Sequence, residues 1–393
     1  MPFLKRELYF DNAATSFPKP PQVEAELLNF HRHLGASAGR GAYPRSVLTG
    51  RLLEDTRKLL ASLFNIRKPS QIIFTFNASD ALNLAIKGLD WRLGDNAVVS
   101  SMEHNSVLRP LHALKNRKGI KIIKVRANEE GWVDPIDFAR GIDTHTRLVA
   151  LVHASNVTGT IQPIMEVGDI CRRKGVPFLV DAAQSAGALP IDVQAMKIDF
   201  LALPGHKALM GPLGTGALYI REGLDLDTLR EGGTGSQSEQ EVQPDFLPDK
   251  YEPGSHNALG ISGWKASLEF LTKETIVKVR ARDERLTAQF LDGIKGLKTI
   301  QVYGTKDAAK QVAVVSLRLG EFAPLELSHR LYERGGLMTR SGLHCAPGAH
   351  QMIGTYPLGT TRFSFGYFNT PADIEKALSV LTAITKNPTV AIH

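Results

Sequence analysis

Between about residues 70 and 220 the chain alternates short apolar runs with amphipathic stretches. The runs Ile72–Phe76, Ala97–Ser101, Ile120–Val125, Leu148–His153, Phe178–Asp181, Phe200–Leu203 and Gly216–Ile220 are apolar nearly throughout. Continuous rather than alternating apolar positions predict strands buried on both faces. Helical patterns separate most of them, as over Ile164–Lys174. This rhythm predicts an α/β fold whose large domain is a mainly parallel sheet covered by helices. Ligands of such sheets bind at the loops after the carboxyl ends of the strands.

The stretch Pro248 to Gly263, "PDKYEPGSHNALGISG", breaks the rhythm with Pro, Gly and Asn. We place a junction there, between a large domain over residues 16–257 and a smaller α+β domain made of residues 1–15 and 258–393. Beyond it the pattern predicts helices over Ile261–Thr272 and Glu274–Lys295 and a strand near Val312–Leu317. A helix near Pro324–Arg334, a strand at Thr361–Ser364 and a closing helix from Pro371 complete it.

A length of 393 residues accords with two domains. The net charge of +7 raises the possibility of nucleic acid. Its densest patch, "KNRKGIKIIKVR" from Lys115 to Arg126, lacks interleaved aromatics and reads as a solvated face. No apolar run has the length of a membrane span. Charge interrupts the N-terminus before any apolar core forms, so no signal peptide is expected. Two cysteines form no disulfide framework, and a cytoplasmic location is expected. Neither paired cysteines nor an H-E-x-x-H pattern suggests a metal.

One cysteine, Cys345, sits in the loop "RSGLHCAPGAH" with a histidine on each side, a setting of turns rather than of packing. Its reading is a nucleophile. Asp181 ends an apolar strand in "FLVDAAQSAG"; it either caps the next helix or faces a buried cationic nitrogen. Lys207 in "LPGHKALMGPLGTG" is either a solvated loop residue or a desolvated, nucleophilic amine. Pyridoxal phosphate (PLP) needs such a pair: a lysine for its aldehyde and an acid for its ring nitrogen. Ser79, in "FNASDALNLAIKGL", is placed to cap a helix and to meet a phosphate. His104 and Asn156 each follow a strand, one suited to stacking and proton transfer, the other to an amide contact with cofactor or substrate. Arg362, in "GTTRFSFGYFN", is either a surface ion pair or a clamp for a substrate carboxylate.

The ordered set "YFDNAATSFPKP", "NASDALNLA", "MEHNS", "SNVTGT", "VDAAQSAG", "LPGHKALMGPLGTG", "RSGLHCAP" and "GTTRFSFGYFNT" closely resembles the class V aminotransferase superfamily. Within it the match is to the cysteine desulfurase and selenocysteine lyase branch, and the loop resembles that of the group II, SufS-like enzymes. The resemblance implies a fold type I PLP-dependent transferase, a homodimer with shared active sites. It implies Lys207 as the cofactor-linked lysine, Asp181 on the ring nitrogen, Gln184 on the ring hydroxyl and His104 stacked on the ring. It further implies Asn156 near substrate and cofactor, and Ala78, Ser79 and His206 at the phosphate, with Thr234 or Gly235 of a second subunit. Arg362 and Ala14 would meet the substrate, and Cys345 would accept its sulfur as a persulfide while alanine leaves. Selenocysteine lyase, aminotransferase and C–S lyase chemistry are the alternatives on this fold, and a sulfur-acceptor protein is a possible partner. Pro204 stands where relatives carry Ser or Thr before "GHK", and Asn105 replaces a second histidine. Cys171, in "VGDICRRKGVPFLVD", reads as packing.

Overall fold

The computed structural model describes residues 7–39 and 41–386. Residues 1–6, on which the expectation about a signal peptide partly rests, lie outside the described residues. The apolar runs form one seven-stranded sheet. Across it the order is Ile72–Thr75, Gly216–Ile220, Phe200–Pro204, Phe178–Asp181, Thr146–Val152, Asn96–Ser100 and Lys121–Val125. Gly216–Ile220 runs antiparallel to both its neighbours, and every other pair is parallel.

Burial explains the continuous apolar runs. Every residue of Asn96–Ser100, Phe200–Pro204 and Gly216–Ile220 is buried. Successive side chains point to opposite faces. Ala97 and Val99 join a cluster with Ala81, Leu82 and Leu111, from helices Ala78–Lys87 and Asn105–Lys118. Val98, between them, joins the opposite cluster with Val167 and Leu60, from helices Ile164–Lys174 and Pro44–Phe64. The outermost strand, Lys121–Val125, exposes Lys121 and Lys124, and charge on an edge discourages further strand pairing.

The helix expected from Ile261 starts at Ala258, because the Asn257 side chain accepts the Gly260 N–H and caps it early. Its Ile261, Trp264, Leu268 and Leu271 pack into the same cluster as Val98. Beside it lies a buried ion pair. Arg57 meets Glu252 through both terminal nitrogens, at 2.9 and 2.5 Å, and donates to the Ile72 carbonyl at 2.8 Å. Glu252 also accepts from the Phe74 N–H at 2.5 Å.

A second sheet has the order Arg340–Gly342, Thr360–Ser364, Val314–Leu319 and Ile300–Tyr303, all antiparallel. Helices Ile276–Ile294, Pro324–Gly335 and Pro371–Lys386 pack on it through Phe290, Leu331 and Leu381. Leu8–Tyr9 pairs in parallel with Leu337–Met338. Asp11 then bridges to Ser364, so the N-terminal segment runs along this sheet toward the larger one. Among the described residues, no helix is long and apolar enough to cross a membrane.

Candidate active site

Two adjacent strands end together, with Val152 opposite Asp181, and the next, Phe200–Pro204, passes Asp181 at Ala202 and runs two residues further. The loops leaving these ends enclose a solvent-connected cleft of about 500 Å³. Its walls include Ser79, His104, Asp181, Gln184, His206 and Lys207, all of them expected from the sequence.

Asp181 is buried, and one carboxylate oxygen accepts the Ala183 N–H at 2.9 Å. Burial raises its pKa, while the Ala183 hydrogen bond and the Lys207 charge pull it down. Burial brings the Lys207 amine down to about 8, against the opposing pull of Asp181. The charges of Arg362 and Arg340 lower it further, and that of Asp11 raises it. Acid and amine therefore lie within electrostatic reach of each other in the cleft, as the sequence predicted.

The N-terminal segment fixes the backbone around this pair. Gln184 donates its side-chain N–H to the Ala13 carbonyl at 2.9 Å. The carbonyl of His206, one residue before the lysine, accepts from four groups. They are the Ser16 N–H at 3.0 Å, the Thr15 hydroxyl at 3.0 Å, the Ser16 hydroxyl at 3.2 Å and the Lys19 ammonium at 2.8 Å. Gly187 has φ +91°, and a Cβ there would lie 2.6 Å from the carbonyl carbon of Ala208, so only glycine fits against the lysine turn.

His104 caps the helix Asn105–Lys118. Its Nδ1 accepts the Ser106 N–H at 3.1 Å, which leaves the ring proton on Nε2. Burial first, then the charges of Lys207, Arg109 and Arg362, hold its pKa down to about 4, so the ring is neutral near pH 7. Ser79 does not cap its helix, contrary to expectation. Asn77, with an extended backbone, accepts the Asp80 N–H at 2.9 Å and takes that role. The Ser79 hydroxyl lies 2.6 Å from that of Ser106.

Asn156 donates its amide N–H to the His344 carbonyl at 2.6 Å, so it ties the cysteine loop to the cleft. The Asn105 N–H donates to the Cys345 carbonyl at 2.8 Å. His344 and Cys345 have φ of +48° and +59°, two consecutive non-glycine residues in the left-handed region. That conformation costs roughly 1–2 kcal/mol per residue, and such strain concentrates at functional sites. The Cys345 side chain is exposed, whereas Cys171 is buried in its helix. Arg362 lies within a strand, buried, and donates to the Asn156 carbonyl at 3.0 Å and to Asp11 at 2.8 Å. Its ion pair is thus internal, not at the surface.

The family model for aminotransferase class-V matches residues 8–377. The chain belongs to the class V aminotransferase family. It is 34% identical to a probable cysteine desulfurase of Methanothermobacter thermautotrophicus, over 95% of this chain and 94% of that one. It is 30% identical to a cysteine desulfurase of Salmonella dublin, over 98% and 96%. Among solved structures it is similar to the apo cysteine desulfurase of Thermococcus onnurineus, with TM-score 0.91 and 31% identity over 97% of this chain and 95% of that one.

Class V aminotransferases are PLP enzymes, and the cleft fits that group. A buried carboxyl has a single protein hydrogen bond among the described residues, and an amine of lowered pKa lies within reach of it. The N–H groups of Ala78 and Ser79 open a helix and have no partner among the described residues, as an anion seat requires. His206 adds a buried ring Nδ1 without a partner among the described residues. Thr234 and Gly235 lie outside the cleft lining, in the segment between Ile220 and Ala258. Sequence reasoning passed over Asp11, Lys19, Glu103 and Arg340. All four stand inside the quoted motifs or the cysteine loop, yet nothing local marks their distant partners: Arg362 for Asp11, the His206 carbonyl for Lys19, the Val152 N–H for Glu103 and Asp11 for Arg340. Glu103 is buried with one oxygen accepting from Ser100 at 2.5 Å and Val152 at 3.0 Å; burial pushes its pKa up to about 8.

Proposed function

We propose that this protein is a PLP-dependent cysteine desulfurase that moves the sulfur of L-cysteine onto Cys345 and releases L-alanine. One observation carries the reading. The exposed Cys345, held in a strained loop, is hydrogen-bonded through its neighbour His344 to Asn156 of the cleft that contains Asp181 and Lys207.

Asp181, Gln184, His104, Ala78, Ser79, His206 and Lys207 would hold the cofactor, joined by Thr234 or Gly235 of the second subunit of a homodimer. Bound there, PLP supplies an electron sink that makes the substrate α-proton removable and its sulfur open to attack. Arg362 clamps the substrate carboxylate, with Ala14 and Asn156 beside it. Lys207, with its pKa near 8, holds a usable fraction of free amine to take and return that proton. His104 offers its Nε2–H toward sulfur. The Cys345 thiolate forms the new S–S bond as the carbon–sulfur bond breaks; a proton goes to the alanine methyl carbon, and the persulfide remains for an acceptor protein or a thiol. Residues 1–15 and 258–393 act as the smaller domain, which brings Cys345 and Arg362 to the cleft, in a cytoplasmic enzyme with a loop of the group II type.

The experiment is to incubate the PLP-loaded protein with cysteine and quantify alanine and sulfide with and without a reductant. Cys345→Ser keeps its visible absorbance and loses both products. Sulfide release at the wild-type rate from that variant would remove Cys345 from the mechanism. Lys207→Ala loses covalently held cofactor.

A further inference from the structure

The substrate clamp is already engaged by an internal anion. Arg362 and Arg340 stand directly opposite each other on paired antiparallel strands. Two like charges so placed repel. The carboxylate of Asp11 lies between them, with one oxygen 2.8 Å from Arg362 and the other 3.6 Å from Arg340. Side-chain exposures rise from 3% for Arg362 through 19% for Asp11 to 48% for Arg340. The Arg362 Nε is buried without a partner among the described residues, so the guanidinium keeps donor capacity in hand. The fields of all three groups reach the Lys207 amine. Two guanidinium charges and one carboxylate leave one net positive charge where the amino-acid carboxylate is to bind.

We propose that Asp11 is a specificity-determining residue: by cancelling one of the two guanidinium charges it matches the site to amino acids bearing a single carboxylate and turns away dicarboxylates. The inference rests on the desulfurase reading, in which Arg362 holds the substrate carboxylate, and it specifies the substrate class. A second substrate carboxylate meets Asp11 as a like charge and finds no unspent cation. Without Asp11, Arg340 becomes that cation. L-cysteine and L-alanine carry one carboxylate; L-aspartate has the same backbone with a second one.

The test measures the dissociation constants of L-alanine and L-aspartate from the PLP-loaded protein by change in visible absorbance. Asp11→Asn keeps an oxygen toward Arg362 and removes only the charge. It shifts the affinity ratio toward aspartate by about tenfold or more, as expected for one unit charge a few ångströms away in a partly buried site, and Asp11→Glu restores the wild-type ratio. Arg340→Gln leaves no net positive charge and weakens both ligands, aspartate the more. A bridge that merely relieves cross-strand repulsion would lower stability in Asp11→Asn and leave the ratio within twofold; that result overturns the proposal. Should Asp11→Asn fail to fold, Arg340→Gln decides, and unchanged affinities in it refute the charge count. Absence of alanine from wild-type protein and cysteine would instead defeat the desulfurase reading, while the affinity ratios still judge the role of Asp11.

Discussion

Replacing Gly187 by alanine tests how tightly the lysine turn is gauged. The added Cβ would lie 2.6 Å from both the carbonyl carbon and oxygen of Ala208, and 2.8 Å from the Leu209 nitrogen. Ordinary contact begins at 3.4 Å, so the lysine turn must retreat by about 0.8 Å or the "VDAAQSAG" turn must. Both partners are backbone, which cannot rotate aside. The φ of +91° adds strain that alanine does not escape. Overpacking of about 1–3 kcal/mol and a backbone penalty of about 1–3 kcal/mol sum to roughly 2–6 kcal/mol of lost stability. A shift near 1 Å at a reacting group costs on the order of 100-fold in rate. Urea unfolding of the cofactor-free protein reads the first effect, and alanine formation at saturating cysteine reads the second. A Gly187→Ala protein with an unchanged unfolding midpoint and wild-type turnover would refute the claim that this contact sets the position of Lys207.

Further predictions concern buried charge. Glu103 holds its proton up to about pH 8 in the folded chain but only to about 4.5 when unfolded, so folded protein binds the extra proton and wild-type stability falls as pH rises through that window. Glu103→Gln, which keeps the acceptor oxygen, should gain relative to wild type between pH 5 and 8 in urea midpoints; a constant difference would disprove it. Lys207 is the reverse case: with the amine near 8 when folded and 10.5 when unfolded, its burial costs stability fully below pH 8 and progressively less toward pH 10.5. Cofactor-free Lys207→Met should therefore be more stable than wild type at pH 7, by about 1–2 kcal/mol after allowance for partial exposure, and the gain should vanish near pH 10.5. Arg57→Met leaves the buried Glu252 with only the His256 ring and the Phe74 N–H as partners and should cost about 3–5 kcal/mol in urea midpoints, of which the double variant Arg57→Met/Glu252→Leu should recover only part, since it leaves those two groups unpaired.

How much of this was legible depends on how local the signal is. Phe178–Asp181 and Gly216–Ile220 form where the apolar runs predict them, residue for residue, because burial on both faces marks each position separately. The antiparallel sense of Gly216–Ile220 was not visible, since direction is a property of the partner strand. Arg340–Gly342 reads as loop and forms a strand, because its pairing with Thr360–Ser364 supplies what its composition lacks. Lys207 and Asp181 could be nominated from strand ends and small-residue turns. Asp11 could not, as its partner Arg362 lies 351 positions away. The cap on the helix at Ala78 was misassigned by two residues because Asn, Ser and Asp all stand there and only the extended backbone of Asn77 selects among them.

The four donors gathered on the carbonyl of His206 come from residues 15, 16 and 19, far upstream of the lysine they steady. Trimming the first nineteen residues, a change that position near a terminus would suggest to be harmless, strips that carbonyl of all of them and leaves it poorly solvated. A protease nick or a bulky fusion close to Thr15 would be felt at the Lys207 turn itself, so residues 15–19 hold the lysine in place as fully as any loop of the sheet.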